Sequence, residues 1–259
     1  MARSTPYFSD HDQPGERRRL AIMEECYDPA TIRRLEVIGV TDGWSCLEVG
    51  AGGGSIARWF ARRVGPSGRV VATDLDTRFF EDVAADNVEV WRHDIATDPL
   101  PTAEFDVVHV RWLFDLLPAR DQCLAKLATA LKPGGWLLDE EPDIFPSAGE
   151  TAEAYRTFVE ALATLALEDG LDSRWARTLP AGLTAAGLAD VGAEVDMDLY
   201  RGGSPLAEAR WLGFEQMRRP ALESGILTEA AFDQGLACLS DPDLWLMDFA
   251  TVAAWGRAP

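Results

Sequence analysis

Four residues whose types and spacing suit nucleotide chemistry follow a short apolar run: Glu48, Gly50, Gly52 and Gly54. In the dinucleotide fingerprint G-x-G-x-x-G, the third glycine allows close helix packing, and the pyrophosphate lies at the helix N-terminus. Here that third position is Ser55, and a carboxylate precedes the loop. The pattern therefore predicts a nucleotide-binding βαβ unit whose ligand carries positive charge and no phosphate.

The segments that follow the loop have the periodicities of such a unit. Residues 55–64 place their apolar side chains on one helical face, and a Gly-Pro-Ser-Gly turn comes next. Residues 69–75 are then a β-branched run that contains Asp74, with Asp76 just after it. In a doubly wound sheet, ligands bind outside the carboxyl ends of the strands, so these acids are expected at the ligand edge.

Beyond this unit the chain resembles the class I S-adenosylmethionine-dependent methyltransferases. The stretches FDVVHVRW and LKPGGWLLDEEPD make it most similar to the small-molecule type, the ubiquinone and menaquinone C-methyltransferases. The resemblance implies an α/β fold, a Rossmann-like doubly wound sheet of seven strands. These are mostly parallel with an antiparallel C-terminal strand, and N-terminal helices and a helical lid are added. A long segment at residues 200–248 departs from plainer members and leaves the substrate open.

The resemblance also implies the cofactor, S-adenosyl-L-methionine, and the residues that bind it. The acid at the end of the second strand holds the two ribose hydroxyls, a role we assign to Asp74, with Asp76 as the alternative. Asp94 is expected to accept from the adenine amino group, and Ile95 to pack on the ring. Glu48 either touches the ligand or orients the loop amides. The expected cofactor residues are Glu48, Gly50, Ala51, Gly52, Gly54, Asp74, Leu75, Asp94, Ile95 and Arg111.

Residues for the acceptor and for catalysis are expected near the ends of the fourth and fifth strands and in the lid. The predicted substrate pocket comprises Tyr27, Trp112, Phe114, Trp211 and Phe214. Core packing is the alternative for Tyr27, Trp112, Trp211 and Phe214. The catalytic candidates are His109, Arg111 and Glu141, but a core histidine is the favoured interpretation of His109 over a general base. Glu140, Glu141 and Asp143 are either a solvated rim or a cluster whose mutual repulsion raises a pKa and creates a base.

Length and composition predict one domain, which the resemblance implies is a methyltransferase domain. The chain has 259 residues, of which 47% are apolar, enough for one large core. We expect N-terminal helices at residues 16–26 and 29–40. The predicted parts are an N-terminal arm with helices at 1–41, a cofactor-binding core at 42–143, a helical cap or lid at 144–180 and 200–248, and a closing strand at 249–259.

The net charge and the number and spacing of the cysteines restrict the classes of partner that the protein is expected to bind. A formal charge of −19 disfavours nucleic-acid backbones and anionic lipid surfaces. Four scattered cysteines without a C-x-x-C pair, and three histidines, suggest a reduced cytoplasmic protein without a metal site. No apolar run approaches the length of a membrane span. The expected partner is thus a small-molecule acceptor, as in natural product biosynthesis, with no nucleic acid and no membrane insertion; the oligomeric state is left open.

These inferences predict an enzyme that transfers a methyl group to a small hydrophobic or aromatic metabolite and releases S-adenosyl-L-homocysteine. One rival, an NAD-dependent reductase, predicts a third loop glycine and a Tyr-x-x-x-Lys pair, and the chain has neither. A second rival binds the same cofactor but catalyses a non-methylating step such as cyclisation. The sequence leaves that second rival open.

Overall fold

The computed structural model describes residues 15–80, 85–117, 119–144, 152–168, 170–172 and 174–259. The chain forms two compact units. The sheet unit comprises Tyr27–Glu141, Ala176–Glu194 and Val252–Pro259, and the helical unit comprises Met1–Cys26, Pro142–Trp175 and Val195–Thr251. The predicted N-terminal arm at residues 1–14 lies outside the described residues.

Seven strands form one sheet in the order β3-β2-β1-β4-β5-β9-β6, and a separate ribbon pairs β7 with β8. The strands are β1 Ser45–Val49, β2 Arg69–Asp74, β3 Val88–Arg92, β4 Phe105–Arg111, β5 Leu131–Asp143, β6 Ala189–Asp196, β7 Leu199–Arg201, β8 Trp245–Met247 and β9 Ala250–Arg257. Pairs β1/β2, β1/β4, β2/β3 and β4/β5 are all parallel.

The last strand runs against its neighbours. Just after β9, the Ala258 amide donates to Gly135 near the start of β5, at 2.8 Å. On the other side, Gly192 of β6 lies against the Trp255 ring, while Gly256 lies against Val191. Residue numbers therefore increase along β6 as they decrease along β9, so these two strands are antiparallel. The predicted Rossmann-like sheet, mostly parallel with an antiparallel C-terminal strand, is confirmed.

The sheet unit buries its apolar residues between β1, β2 and β4 and the helices packed on them. Its helices are α2 Ser55–Val64, α3 Arg120–Ala130, α5 Leu179–Ala185 and the second part of α1 Glu16–Ile38. The predicted periodicity of α2 holds, because Ile56, Phe60 and Val64 are all buried. Trp59 packs beside this core as a partly buried side chain.

The N-terminal region is one helix, and the prediction of two helices was wrong. Pro29 lies inside α1, although proline lacks an amide donor and its ring crowds the preceding turn. The chain continues as a helix because it buries apolar residues on both sides of the proline. Ile22 precedes Pro29 and Leu35 follows it, and both are fully buried.

The helical unit has an aromatic core. Its helices are α4 Glu153–Glu168, α6 Pro205–Glu215, α7 Arg218–Ser224 and α8 Glu229–Cys238. The ring of Phe158 meets Phe214 and Phe232 edge-on, with centroids 5.2 and 5.0 Å apart. Of the helices in this unit, α6, α7 and α8 lie in the segment 200–248 that was predicted to be helical. Among the described residues, no helix is long and apolar enough to cross a membrane.

Candidate cofactor site

The glycine loop joins the carboxyl end of β1 to α2 in a backbone conformation that favours glycine. Gly50, Gly52 and Gly54 have φ of 73°, 55° and 82°, a region that side chains with a Cβ rarely adopt. The amides of Gly50 and Ala51 both donate to the Thr73 carbonyl on β2 at 2.9 Å. The loop is therefore fixed to the neighbouring strand at the carboxyl ends of β1 and β2.

Asp74 lies against this loop. Its Oδ2 accepts from the Gly52 amide at 3.0 Å, and its Oδ1 accepts from the Asp76 amide at 3.1 Å. The alternative ribose acid, Asp76, is instead ion-paired with Arg78 at 2.5 Å. Leu75, between the two acids, keeps 57% of its surface exposed. Of the two acids, Asp74 is thus the one joined to the loop.

The predicted adenine residues follow β3 at the same edge of the sheet. The His93 amide donates to the Asp74 carbonyl at 2.8 Å, which places the end of β3 beside the end of β2. Asp94 Oδ1 accepts from the Ala96 amide at 2.9 Å. Ile95 is buried, and its carbonyl accepts from Lys126 Nζ at 2.6 Å. The structure therefore brings the predicted adenine and ribose residues together around the ends of β1, β2 and β3.

Glu48 belongs to a buried ionic chain under the loop. It pairs in register with His109 on β4, and His109 Nδ1 lies 2.7 Å from Glu48 Oε2. The other ring nitrogen, Nε2, lies 3.1 Å from Glu140 Oε2 on β5. Although burial lowers the pKa of His109, the charges and hydrogen bonds of both carboxylates outweigh it and raise that pKa to about 9.

The same chain of contacts extends to α1. Thr31 Oγ1 and the Arg34 guanidinium both donate to Glu140, and Arg34 Nε also donates to Glu194 on β6 at 2.6 Å. Despite burial, which raises it, the pKa of Glu140 falls to about 2 because His109, Arg111 and Arg34 surround the carboxylate. Glu140 therefore joins the sheet to α1 as a carboxylate.

Arg111, predicted to bind the cofactor, faces α1. Its guanidinium donates to Asp28 Oδ1 at 2.9 Å and to Thr31 Oγ1 at 3.0 Å. Asp28, Thr31 and Arg34 recur every third residue along α1. Residues at this spacing form a polar stripe on one helical face. The stripe was the feature of the sequence that could have indicated a polar contact between α1 and the sheet. It could be recognised only if α1 was continued through Pro29.

The carboxylates at the end of β5 are not a solvated rim. Glu140 and Glu141 have no exposed surface, and Asp143 keeps 4%. Glu141 Oε1 accepts from the amides of Leu113 and Phe114 at 3.0 and 2.8 Å, and Oε2 accepts from the backbone amide of Asp115 at 3.2 Å. Burial, with the charge of Asp115 adding to it, raises the pKa of Glu141 to about 8.

This anchored turn supports the glycine loop. A Cβ on Gly50 would lie 3.2 Å from Leu113 Cδ2, so the Leu113 side chain packs closely against the loop. Glu141 therefore holds the turn that closes one side of the loop.

Asp139 lies on the opposite face of β5 from Glu140 and is fully buried. Burial together with the charge of Glu141 raises the pKa of Asp139 well above its usual range.

The predicted acceptor residues fall in both units. In the sheet unit, the rings of Tyr27 and Trp112 are 4.9 Å apart, and Trp112 has a positive φ of 55°. Phe114 is fully buried. In the helical unit, Trp211 is 39% exposed, whereas Phe214 keeps 3% and packs on Phe158. Among the predicted acceptor residues, Tyr27 and Trp112 are therefore in ring contact with each other.

Comparison with known proteins agrees with this geometry. Residues 47–139 match the family described as a methyltransferase domain. The ubiquinone/menaquinone biosynthesis C-methyltransferase UbiE of Pseudomonas paraeruginosa is 30% identical over 139 residues. That match covers 51% of this chain and 54% of the relative, so about half the length of the curated relative is spanned.

Two solved structures share the fold. Phosphoethanolamine N-methyltransferase 2 of Haemonchus contortus, in complex with S-adenosyl-L-methionine, has a TM-score of 0.61 at 16% identity, covering 98% of this chain and 60% of that one. The [4+2]-cyclase SpnF has a TM-score of 0.52 at 21% identity, covering 90% and 83%. At these identities the likeness shows the fold alone.

The sheet order, the glycine loop and the matched domain together define a class I S-adenosylmethionine-dependent methyltransferase domain. Within that class, the chain is similar to the UbiE C-methyltransferases. The predicted fold and the predicted likeness to the methyltransferases are confirmed.

Proposed function

We propose that the protein transfers the methyl group of S-adenosylmethionine to a small hydrophobic or aromatic metabolite. The observation that carries the proposal is the hydrogen bond between the Gly52 amide and Asp74, at the carboxyl edge of β1 and β2. It puts a carboxylate with two acceptor oxygens beside a positive-φ glycine loop, where a ribose with two hydroxyls fits.

Each cofactor group has a proposed partner in the sheet unit. Asp74 binds the ribose hydroxyls, Asp94 accepts from the adenine amino group, and Ile95 and Leu75 cover the ring. Glu48 keeps one oxygen on His109, while the glycine loop approaches the methionine part.

The reaction is an in-line displacement at the methyl carbon. A substrate atom forms a bond to that carbon as the carbon–sulfur bond breaks, and its electron pair leaves with the sulfur of S-adenosylhomocysteine. The acceptor proton, where there is one, passes to solvent or a base. Because the sulfonium is a good leaving group, the main contribution of the protein is to align the two reactants. Such alignment can lower the activation free energy by on the order of 7 to 11 kcal/mol.

The acceptor class follows from aromatic side chains and from the named relatives. Tyr27 and Trp112 form a tilted aromatic pair, which suits a flat, partly apolar ring. The UbiE relatives are named for ubiquinone and menaquinone biosynthesis, and a quinol-type ring has this chemistry. We further propose that residues 200–248, with Trp211 exposed, act as a lid over the acceptor, and that the protein works in the cytoplasm in natural product biosynthesis.

The test is incubation with methyl-labelled S-adenosylmethionine and a panel of phenols and quinols, followed by mass spectrometry. Methyl transfer yields labelled product and S-adenosylhomocysteine in equal amounts. A product of unchanged mass, without S-adenosylhomocysteine, would instead support cyclisation. The fold likeness to SpnF does not favour that second function, because many methyltransferases share the same fold.

A further inference from the structure

We propose that His109 is a positioning residue for the cofactor. This role rests on the proposed function. The His109 ring is a doubly protonated imidazolium that lies between Glu48 and Glu140, and it holds Glu48 under the glycine loop. Removal of the proton or of the ring then weakens cofactor binding. His109 touches neither reactant in this account, and it acts only through Glu48.

The first argument is the geometry of the two contacts. Both neighbours of the ring are carboxylate oxygens, at 2.7 Å from Nδ1 and 3.1 Å from Nε2. A carboxylate only accepts, and a neutral imidazole has one N–H and one lone pair. A neutral ring would therefore point its lone pair at an oxygen of Glu48 or Glu140. Two donated bonds require both nitrogens of His109 to carry protons.

The second argument is the charge balance of the connected side chains. The charged and polar side chains connected to His109 through hydrogen bonds come from β1, β4, β5, β6 and α1. The acids are Glu48, Glu140, Glu194 and Asp28, the guanidinium groups are Arg33, Arg34 and Arg111, and Thr31 is the neutral member. Arg33 and Glu194 are partly exposed, whereas Glu48, His109 and Glu140 are buried. Because a buried unpaired charge is costly, a cation at His109 between the two buried carboxylates is favoured over a neutral ring.

The third argument is position. Glu48 and His109 are partners in the β1/β4 register, and Glu48 stands two residues before Gly50, where the loop begins. The Glu48 side chain is 5% exposed, and its Oε2 is the oxygen bonded to His109. Through Glu140, the same ring is joined to Thr31 and therefore to α1. His109 thus couples the loop to the helix that packs on the sheet.

The direct test is nitrogen-15 NMR of the histidine rings in the wild-type protein near neutral pH, with the His109 signal assigned by its loss in His109→Gln. We expect both ring nitrogens to be protonated, with the second proton leaving near pH 9. A singly protonated ring at neutral pH would place the proton on a carboxylate and overturn the proposal. The variant serves only to assign the signal, and the protonation state itself is read from the folded wild type.

The functional test is calorimetry with S-adenosylhomocysteine. We expect His109→Gln to weaken binding by at least about tenfold, and wild-type affinity to fall above about pH 9 while the variant stays flat. Arg210→Gln is the matched control, since it breaks a buried 2.7 Å ion pair with Asp248 in the helical unit, and its affinity should stay within about twofold of wild type.

The outcomes separate the two proposals. Wild-type protein that fails to bind S-adenosylhomocysteine overturns the proposed function, and the role of His109 falls with it. Wild-type binding with unchanged binding by His109→Gln overturns the role of His109 alone. Equal losses in His109→Gln and Arg210→Gln would show a general loss of stability and would likewise overturn it.

Discussion

The Gly52 amide donates to Asp74 Oδ2 at 3.0 Å, which joins the middle of the glycine loop to the acid at the end of β2. The two residues come from different strand ends, and the bond makes the ribose acid part of the loop's own support. Loss of this carboxylate therefore affects both the ligand contact and the loop geometry.

Asp74→Ala should weaken S-adenosylhomocysteine binding by about 1 to 3 kcal/mol, because bonds from the ribose hydroxyls to a charged acceptor are lost. Asp74→Asn should lose less, since one oxygen acceptor remains. The measurement is the calorimetric Kd. Asp76→Ala is the control, because Asp76 forms an ion pair with Arg78. A larger loss of affinity in Asp76→Ala than in Asp74→Ala would assign the ribose role to Asp76.

The stabilising contribution of His109 should depend on pH. Its folded-state pKa, about 9, is above the ordinary 6.5, so the folded state binds the proton more tightly. The contribution is full below about pH 6.5 and is lost as pH rises through about 9. On the order of 3 kcal/mol is expected at the low end.

Denaturant unfolding of wild type and His109→Gln over this pH range measures that contribution. The difference in unfolding free energy should shrink as pH rises. A difference that stays constant across the range would show that the ring is not held as a cation.

Glu141→Ala should destabilise the turn after β4. Three backbone amides, at residues 113–115, donate to this buried carboxylate. Each buried donor left unsatisfied costs about 1 to 3 kcal/mol, so we expect a loss of at least about 2 kcal/mol in unfolding free energy. Because Leu113 packs at Gly50, cofactor affinity should fall as well. Unchanged stability and affinity would show that water replaces the carboxylate without effect.

Trp211→Ala and Phe214→Ala should separate a lid contact from a core contact. Phe214 is 3% exposed and packs on Phe158, so its truncation should cost about 3 to 5 kcal/mol of stability. Trp211 is 39% exposed, so its truncation should raise the acceptor KM or lower kcat with cofactor Kd within about twofold. Unchanged acceptor kinetics in Trp211→Ala would contradict a lid role for this side chain.

The features predicted from the sequence are those encoded in short stretches. The glycine loop follows β1 directly and Asp74 ends β2, so strand periodicity placed both at one edge, and the family resemblance implied Asp94 after β3. The ionic chain through Glu48, His109 and Glu140 was missed because it joins three strands and a helix, and a single sequence does not reveal such pairings. The two-helix prediction failed because burial on both sides of Pro29 outweighs the local cost of proline.

The central claim is that this site binds S-adenosylmethionine rather than a dinucleotide. Calorimetric titration of the wild-type protein with S-adenosylhomocysteine and, separately, with NAD tests it most directly. We predict saturable binding of S-adenosylhomocysteine, weakened in Asp74→Ala, and no binding of NAD. Binding of NAD together with no binding of S-adenosylhomocysteine would contradict the claim.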